Sequence, residues 1–141
     1  MKGFSYAINR IEEQLTADVN INTVTNGRRD EIALDNKVIY PLAHIMVNTI
    51  NPLEIVNTMS VTLSVIDLVF PDNSNSNDVF NSLATVVNRL IESLRRGQMH
   101  DDYFELQSVT PMTRIDDQFT HKVNGWEVTF DFAIHNDTGI E

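Results

Sequence analysis

A histidine beside a carboxylate is the smallest arrangement that can move a proton. It occurs at His100-Asp101-Asp102 and again where Asp116-Asp117 precede His121. At neither place does a third group or an activated nucleophile stand at a spacing that would orient the imidazole. The first lies just past a helix pattern and the second in a loop before a strand pattern, so both read as solvated turns. A hydrolase using His100 with Asp101 or Asp102 would need those side chains to converge in a cleft. Oxygen-bearing side chains recur in DNSNSND, residues 72–78. That stretch invites a calcium reading, but it lacks the glycine and terminal glutamate of an EF-hand loop and reads as a helix-capping loop. His44 stands in an apolar run and reads as a hydrogen-bonded core residue, while His135 lies at a strand end. Neither phosphate-binding glycine loops nor HExxH or GxSxG occur. The sequence thus implies no catalytic residue, no cofactor and no metal site, and a protein that is not an enzyme.

Charge narrows the partners. Ten basic against twenty acidic residues give a net charge of −10 in 141 residues. A broad basic footprint for phosphates is missing, and sequence-specific nucleic-acid binding is not expected. The basic side chains that do cluster, Arg28-Arg29 and Arg95-Arg96, are pairs and not stripes. They suit salt bridges with a neighbouring acidic subunit better than a phosphate track, the plainer reading being a solvated loop and a helix end. Without cysteine there is no disulfide framework, and a reducing compartment is permitted. Arg10, Glu12 and Glu13 interrupt the N-terminal apolar run too early for a signal peptide. The longest apolar-rich tract, Met59 to Phe70, is too short and too polar for a bilayer, so a cytosolic protein without membrane contact is expected.

The elements that must position these residues follow from periodicity. Asp78 to Arg96 is the dominant one. Val79, Phe80, Leu83, Val86, Val87, Leu90, Ile91 and Leu94 fall in one stripe of a helix, bounded by Asn77 or Asp78 as cap and by Gly97 at the far end. Phe4, Ile8, Ile11 and Leu15 give a second, shorter helix over 4–17, with Glu12, Glu13 and Gln14 facing water. Residues 19–25 alternate with Val19 and Ile21 on one face and read as a strand before the Asn26-Gly27 turn. The charged stretch 28–37 reads as a loop, and its Arg28, Arg29, Asp30 and Glu31 carry both signs. Residues 38–47 read as a strand with Pro41 at an edge or bulge.

From 57 to 70, Met59, Val61, Leu63 and Val65 alternate with Thr58, Ser60, Thr62 and Ser64, the clearest strand of the chain. Its polar first half is expected to project from the body, and its far end to be buried on both faces or bulged. Residues 103–110 and 126–134 complete the strands. The outcome is one α+β domain over 1–141: an antiparallel or mixed five-stranded sheet with two helices on one face, in the order helix, three strands, helix, two strands.

Several stretches together resemble the small tail-terminator and neck proteins of tailed bacteriophages. They are YPLAHI at 40–45, the strand 57–70 running into its polar loop, the helix opening DVFNSL, and RIDDQFTHKVNGWEVTFDFAI at 114–134. The likeness covers roughly residues 4 to 135, and Gly125-Trp126 with Tyr40-Pro41-Leu42 weigh most. Both also have plain reasons to exist, a tight turn and a buried strand face.

What the resemblance implies is a structural virion protein. Its copies form a homo-oligomeric ring at the top of the tail or in the neck, next to connector and tail-tube proteins, with DNA passing passively through the lumen. Such a protein is assembled in the host bacterial cytoplasm and located in the virion. The expected subunit contacts are Arg28, Arg29, Asp30 and Glu31, together with Met59 and Val61, an apolar row that lacks an obvious cover within so small a chain. If Met59 and Val61 are instead core, aspartate at either position unfolds the protein. The competing function is a small non-catalytic binding module that uses an exposed sheet edge.

Overall fold

Seven of the eight residues in the stripe of the long helix are buried: Val79, Phe80, Leu83, Val86, Val87, Leu90 and Leu94. Ile91 is half-buried and packs on the same core. The computed structural model describes residues 4–27, 40–51, 56–69, 72, 74–95, 104–116 and 123–135. Along them run α1 (Phe4–Ala17), β1 (Thr23–Asn26), β2 (Leu42–Asn51) and β3 (Val56–Leu68). Then come α2 (Ser76–Arg95), β4 (Phe104–Val109), β5 (Thr113–Asp116) and β6 (Val123–His135). The sheet has the order β1-β2-β3-β6-β4, and β5 also pairs with β6. Only β1 and β2 run parallel, so this α+β sheet is mixed.

Among the described residues six strands stand where five were expected. β4 pairs with Phe130–Ile134 and β5 with Asn124–Glu127, so the two lie end to end along one flank of β6. Between them sits Pro111, which has no N–H to donate and splits what would otherwise be a single edge strand. The expected strand over 19–25 is also corrected: Val19 is 90% exposed, and only Thr23–Asn26 joins the sheet. Asp18 holds the preceding residues in a turn. Its carboxylate accepts from Asn20 N at 2.9 Å and its carbonyl from Ile21 N at 3.1 Å. This local bonding overrides the β-propensity of the stretch.

Both helices cover one face. Ala7, Ile11 and Leu15 of α1 join the α2 stripe over Ala43, Ile45, Met59, Val61, Leu63, Val65, Val128, Phe130, Phe132 and Ile134. Arg89 ties the helices together, donating from Nε to Asp18 Oδ2 at 3.0 Å and from Nη2 to Oδ1 at 2.7 Å. The bidentate form fixes geometry as well as charge. α2 starts at Ser76, two residues before the expected Asp78. Asn75 O accepts from Val79 N, Asn75 Nδ2 reaches Leu68 O, and Ser76 Oγ accepts from Asn124 Nδ2 at 2.7 Å. The polar loop is therefore the cap that anchors α2 to the end of the sheet. On the opposite face Leu42, Ile66, Ile115 and Val123 form a smaller cluster with Tyr40. Ile66 in that cluster buries β3 on both faces there, whereas Leu68 beyond it is 46% exposed.

Candidate assembly surface

Of the expected contact residues, Arg28, Arg29, Asp30 and Glu31 lie outside the described residues. Met59 and Val61 do not form an uncovered row: each is 1% exposed, within the core of the chain itself. The physical reason is register. Met59 stands opposite Phe132 and Val61 opposite Phe130, on the helix-covered face, so α2 closes over both. The proton-transfer candidates do not come together as a described site. His100, Asp101, Asp102, Asp117 and His121 are outside the described residues, and Asp116 is the last residue of β5. His44 is 2% exposed and its ring is bonded at both nitrogens, Nδ1 to Thr25 Oγ1 at 2.7 Å and Nε2 to Gly27 O at 3.2 Å. A carbonyl can only accept, so Nε2 carries the proton and Nδ1 accepts from the hydroxyl. The histidine thereby stitches β1 to β2. Gly27 has φ of 128°, which lets its carbonyl turn back toward that ring. Among the described residues no group of three His, Cys, Asp or Glu could hold a metal. No described helix is long and apolar enough to cross a membrane.

Gly125 has a role other than the expected turn, while Trp126 packs on the core from a strand face as expected. Gly125 is inside β6, opposite Ile66, and not in a turn. A Cβ there would lie 1.8 Å from Val65 O, so only glycine lets β3 and β6 approach. Trp126 is half-buried and donates from Nε1 to Phe80 O at 2.9 Å. Its ring meets Phe80 edge-on at 5.4 Å, and the Arg114 guanidinium lies 4.1 Å over the other aromatic. Helix α2, β5 and β6 are clamped together at this one aromatic group.

The helix-free face carries a polar row across the sheet. Asn48 Nδ2 donates to Thr62 Oγ1 at 2.7 Å, Thr62 Oγ1 meets Thr129 Oγ1 at 3.1 Å, and Thr110 Oγ1 accepts from Thr129 N at 2.9 Å. Beside it, Ser64 donates to Glu127 at 3.3 Å and Ser108 to Asp131 at 2.8 Å. Thr62 and Ser64 are only 7% and 3% exposed. Thr62 and Ser64 of β3 are therefore held by cross-strand bonds, while Thr58 and Ser60 nearer its start are half-buried.

What projects instead is β2. Its first four residues are buried, but its second half is exposed. β1 pairs only with Leu42–Ile45, so among the described strands nothing lies along the outer edge of Met46–Asn51. A bulge between Val47 and Thr49 turns out Asn48 and returns Ile50 to the helix-covered side, opposite Met59. Val47 and Ile50 are 41% and 44% exposed there. They form an apolar lip where the helices no longer cover the sheet.

Two ionisable groups at the opposite end are perturbed. Burial pushes the Asp67 carboxyl above its ordinary range, partly offset by the hydrogen bond that Leu68 N donates to it at 2.8 Å. Burial, and then the Asp67 charge, raise Tyr40. A shallow groove of about 440 Å³ beside α1 is lined by Asn9, Glu12, Glu13, Thr16 and Ala17, and Glu12 also accepts from Asn26. Its walls offer two carboxylates, an amide and a hydroxyl. No protein-family model matches the sequence, and no curated protein matches it significantly.

Proposed function

We propose that this chain is a structural subunit of a tailed-bacteriophage virion, a tail-terminator-like or neck protein. Its copies close into a ring that ends the tail tube and joins it to the head, and DNA passes through without being read. The observation that carries this reading is the element order, helix, three strands, helix and then the remaining strands, with both helices on one face of the sheet. This is the subunit architecture implied by the resemblance of YPLAHI, DVFNSL and the stretch 114–134. Two further features support it. An exposed apolar lip at Val47 and Ile50 gives a repeated contact something to bury, and a net charge of −10 disfavours sticking to DNA in transit.

The same lip favours a second reading, a non-catalytic module that takes an extended peptide along the β2 edge. The two differ in what the pure protein does. Light scattering and electron microscopy of purified protein should give rings of uniform size. In an infection lacking the protein, tailless heads and headless tails should accumulate. A protein that stays monomeric at all concentrations, with normal particles formed in its absence, rejects the ring.

A further inference from the structure

The sheet has two outer edges at the same height. Met46–Asn51 of β2 lies level with Thr58–Thr62 of β3, β3 there pairs with Thr129–Ala133 of β6, and that part of β6 carries β4. At this level the sheet is four strands wide, β2-β3-β6-β4, because β1 stops at Ile45 and β5 lies along the other end of β6. Among the described strands no partner lies outside β2 on one side or β4 on the other.

Direction then decides what can fill these edges. Each neighbouring pair in this four-strand part is antiparallel, so β2 and β4 run in opposite senses. A second copy in the same orientation, set beside the first, therefore brings its β2 against β4 of its neighbour in antiparallel sense and continues the alternation. Facing agrees as well. Leu106 and Val109 of β4 stand opposite Phe132 and Phe130, on the helix-covered side, and both are half-buried. Val47 and Ile50 lie on that same side of β2. Same-orientation pairing puts the apolar lip of one copy against the apolar margin of the next. Two copies turned to face each other would pair β2 with β2 and leave both β4 margins uncovered.

We infer that copies of this chain join head to tail by pairing the Met46–Asn51 edge of β2 with the Phe104–Val109 edge of β4 in the next copy, and that Val47 and Ile50 of one copy pack on Leu106 and Val109 of the other. The pairing presupposes that the chain assembles into a ring, and it makes the contact heterologous, as a closed ring requires. Bulges at Asn48 and at Gln107 break both edges into short runs, which limits pairing to a matching register.

The absence of cysteine makes the contact measurable. Chains carrying Ile50→Cys are mixed with chains carrying Val109→Cys and treated with a short bismaleimide. A cross-linked pair containing one chain of each kind is expected, and a single chain carrying both changes should give a ladder of oligomers. The control pairs Ile50→Cys with Asn88→Cys on the exposed side of α2 and should give no such pair. Alongside, the Val47→Lys, Ile50→Lys double variant should keep its melt and lose assembly. If wild-type protein forms rings but the mixed pair is absent, or Ile50→Cys links to itself, the β2–β4 contact is wrong and the ring stands. Rings that survive the lysine variant overturn the contact in the same way. If wild-type protein forms no assembly by light scattering, the ring reading fails and the contact with it.

Discussion

At Gly125 one hydrogen atom decides whether two central strands can pair. A methyl at that Cα would stand 1.8 Å from Val65 O, and the obstacle is backbone in the middle of the sheet, so neither strand can give way by a rotamer change. Gly125→Ala is expected to cost at least about 3 kcal/mol, as overpacking at a rigid core position does, or to prevent soluble expression. Urea unfolding followed by the fluorescence of the sole tryptophan, Trp126, reads it. An unchanged midpoint would show that the strands separate freely there.

Asp67 acts through its charge. Its folded pKa is raised by burial, so the folded state favours the protonated form. Its contribution is therefore most favourable below the unfolded carboxylate pKa, is lost as pH rises toward the higher folded value, and stays lost above it. Asp67→Asn keeps an acceptor for Leu68 N and removes the charge. It should raise the neutral-pH melting temperature and flatten the acid-side dependence of stability. A variant that melts lower than wild type at pH 7 would mean that the charge has a favourable partner.

Among the elements, α2 and β3 depend on each other. The stripe on α2 was readable because a 3.6-residue period over 20 residues selects one face whatever lies beneath it. Alternation in β3 was readable for the same kind of reason. What alternation left open was which face the helices would take, and hence whether Met59 and Val61 were surface or core. With both at 1% exposure, Met59→Asp or Val61→Asp should abolish cooperative folding just as Leu83→Asp or Leu90→Asp does, since each buries an unpaired carboxylate. Thermal melts followed by circular dichroism test it. A folded monomer from Met59→Asp would restore that position as an external contact. Short elements were harder to read. β5 has four residues, three of them polar, and nothing local distinguishes it from loop until β6 supplies the hydrogen bonds.

Across the whole molecule, protection should follow the ladder and not the sequence. β3 is paired on both sides through most of its length, whereas among the described strands Met46–Asn51 is paired on one side alone. In native-state hydrogen exchange of the monomer, amides of Leu63–Val65 and Val128–Phe130 should be the slowest, with Val47–Ile50 among the faster strand amides. Ring formation should slow the latter stretch selectively. Equal protection of both halves of β2 in the monomer would mean that its outer edge is already covered.

The sequence by itself determined what depends on near neighbours along the chain. Charge balance, the missing cysteines, both helices with the buried stripe of α2, the strand character of β3, β4 and β6, and the α+β class all follow from composition, capping and a period of 3.6 or 2. Tertiary structure alone decided what depends on residues far apart in sequence. The parallel β1–β2 pair, the Arg89–Asp18 bridge across 71 positions, and the Val65 carbonyl that makes Gly125 obligatory are all of this kind. So is the stagger that, among the described strands, leaves the outer edges of β2 and β4 without a partner at one height. Register and the choice of covered face are set by energies summed over the whole sheet, and no window of neighbouring residues contains that sum.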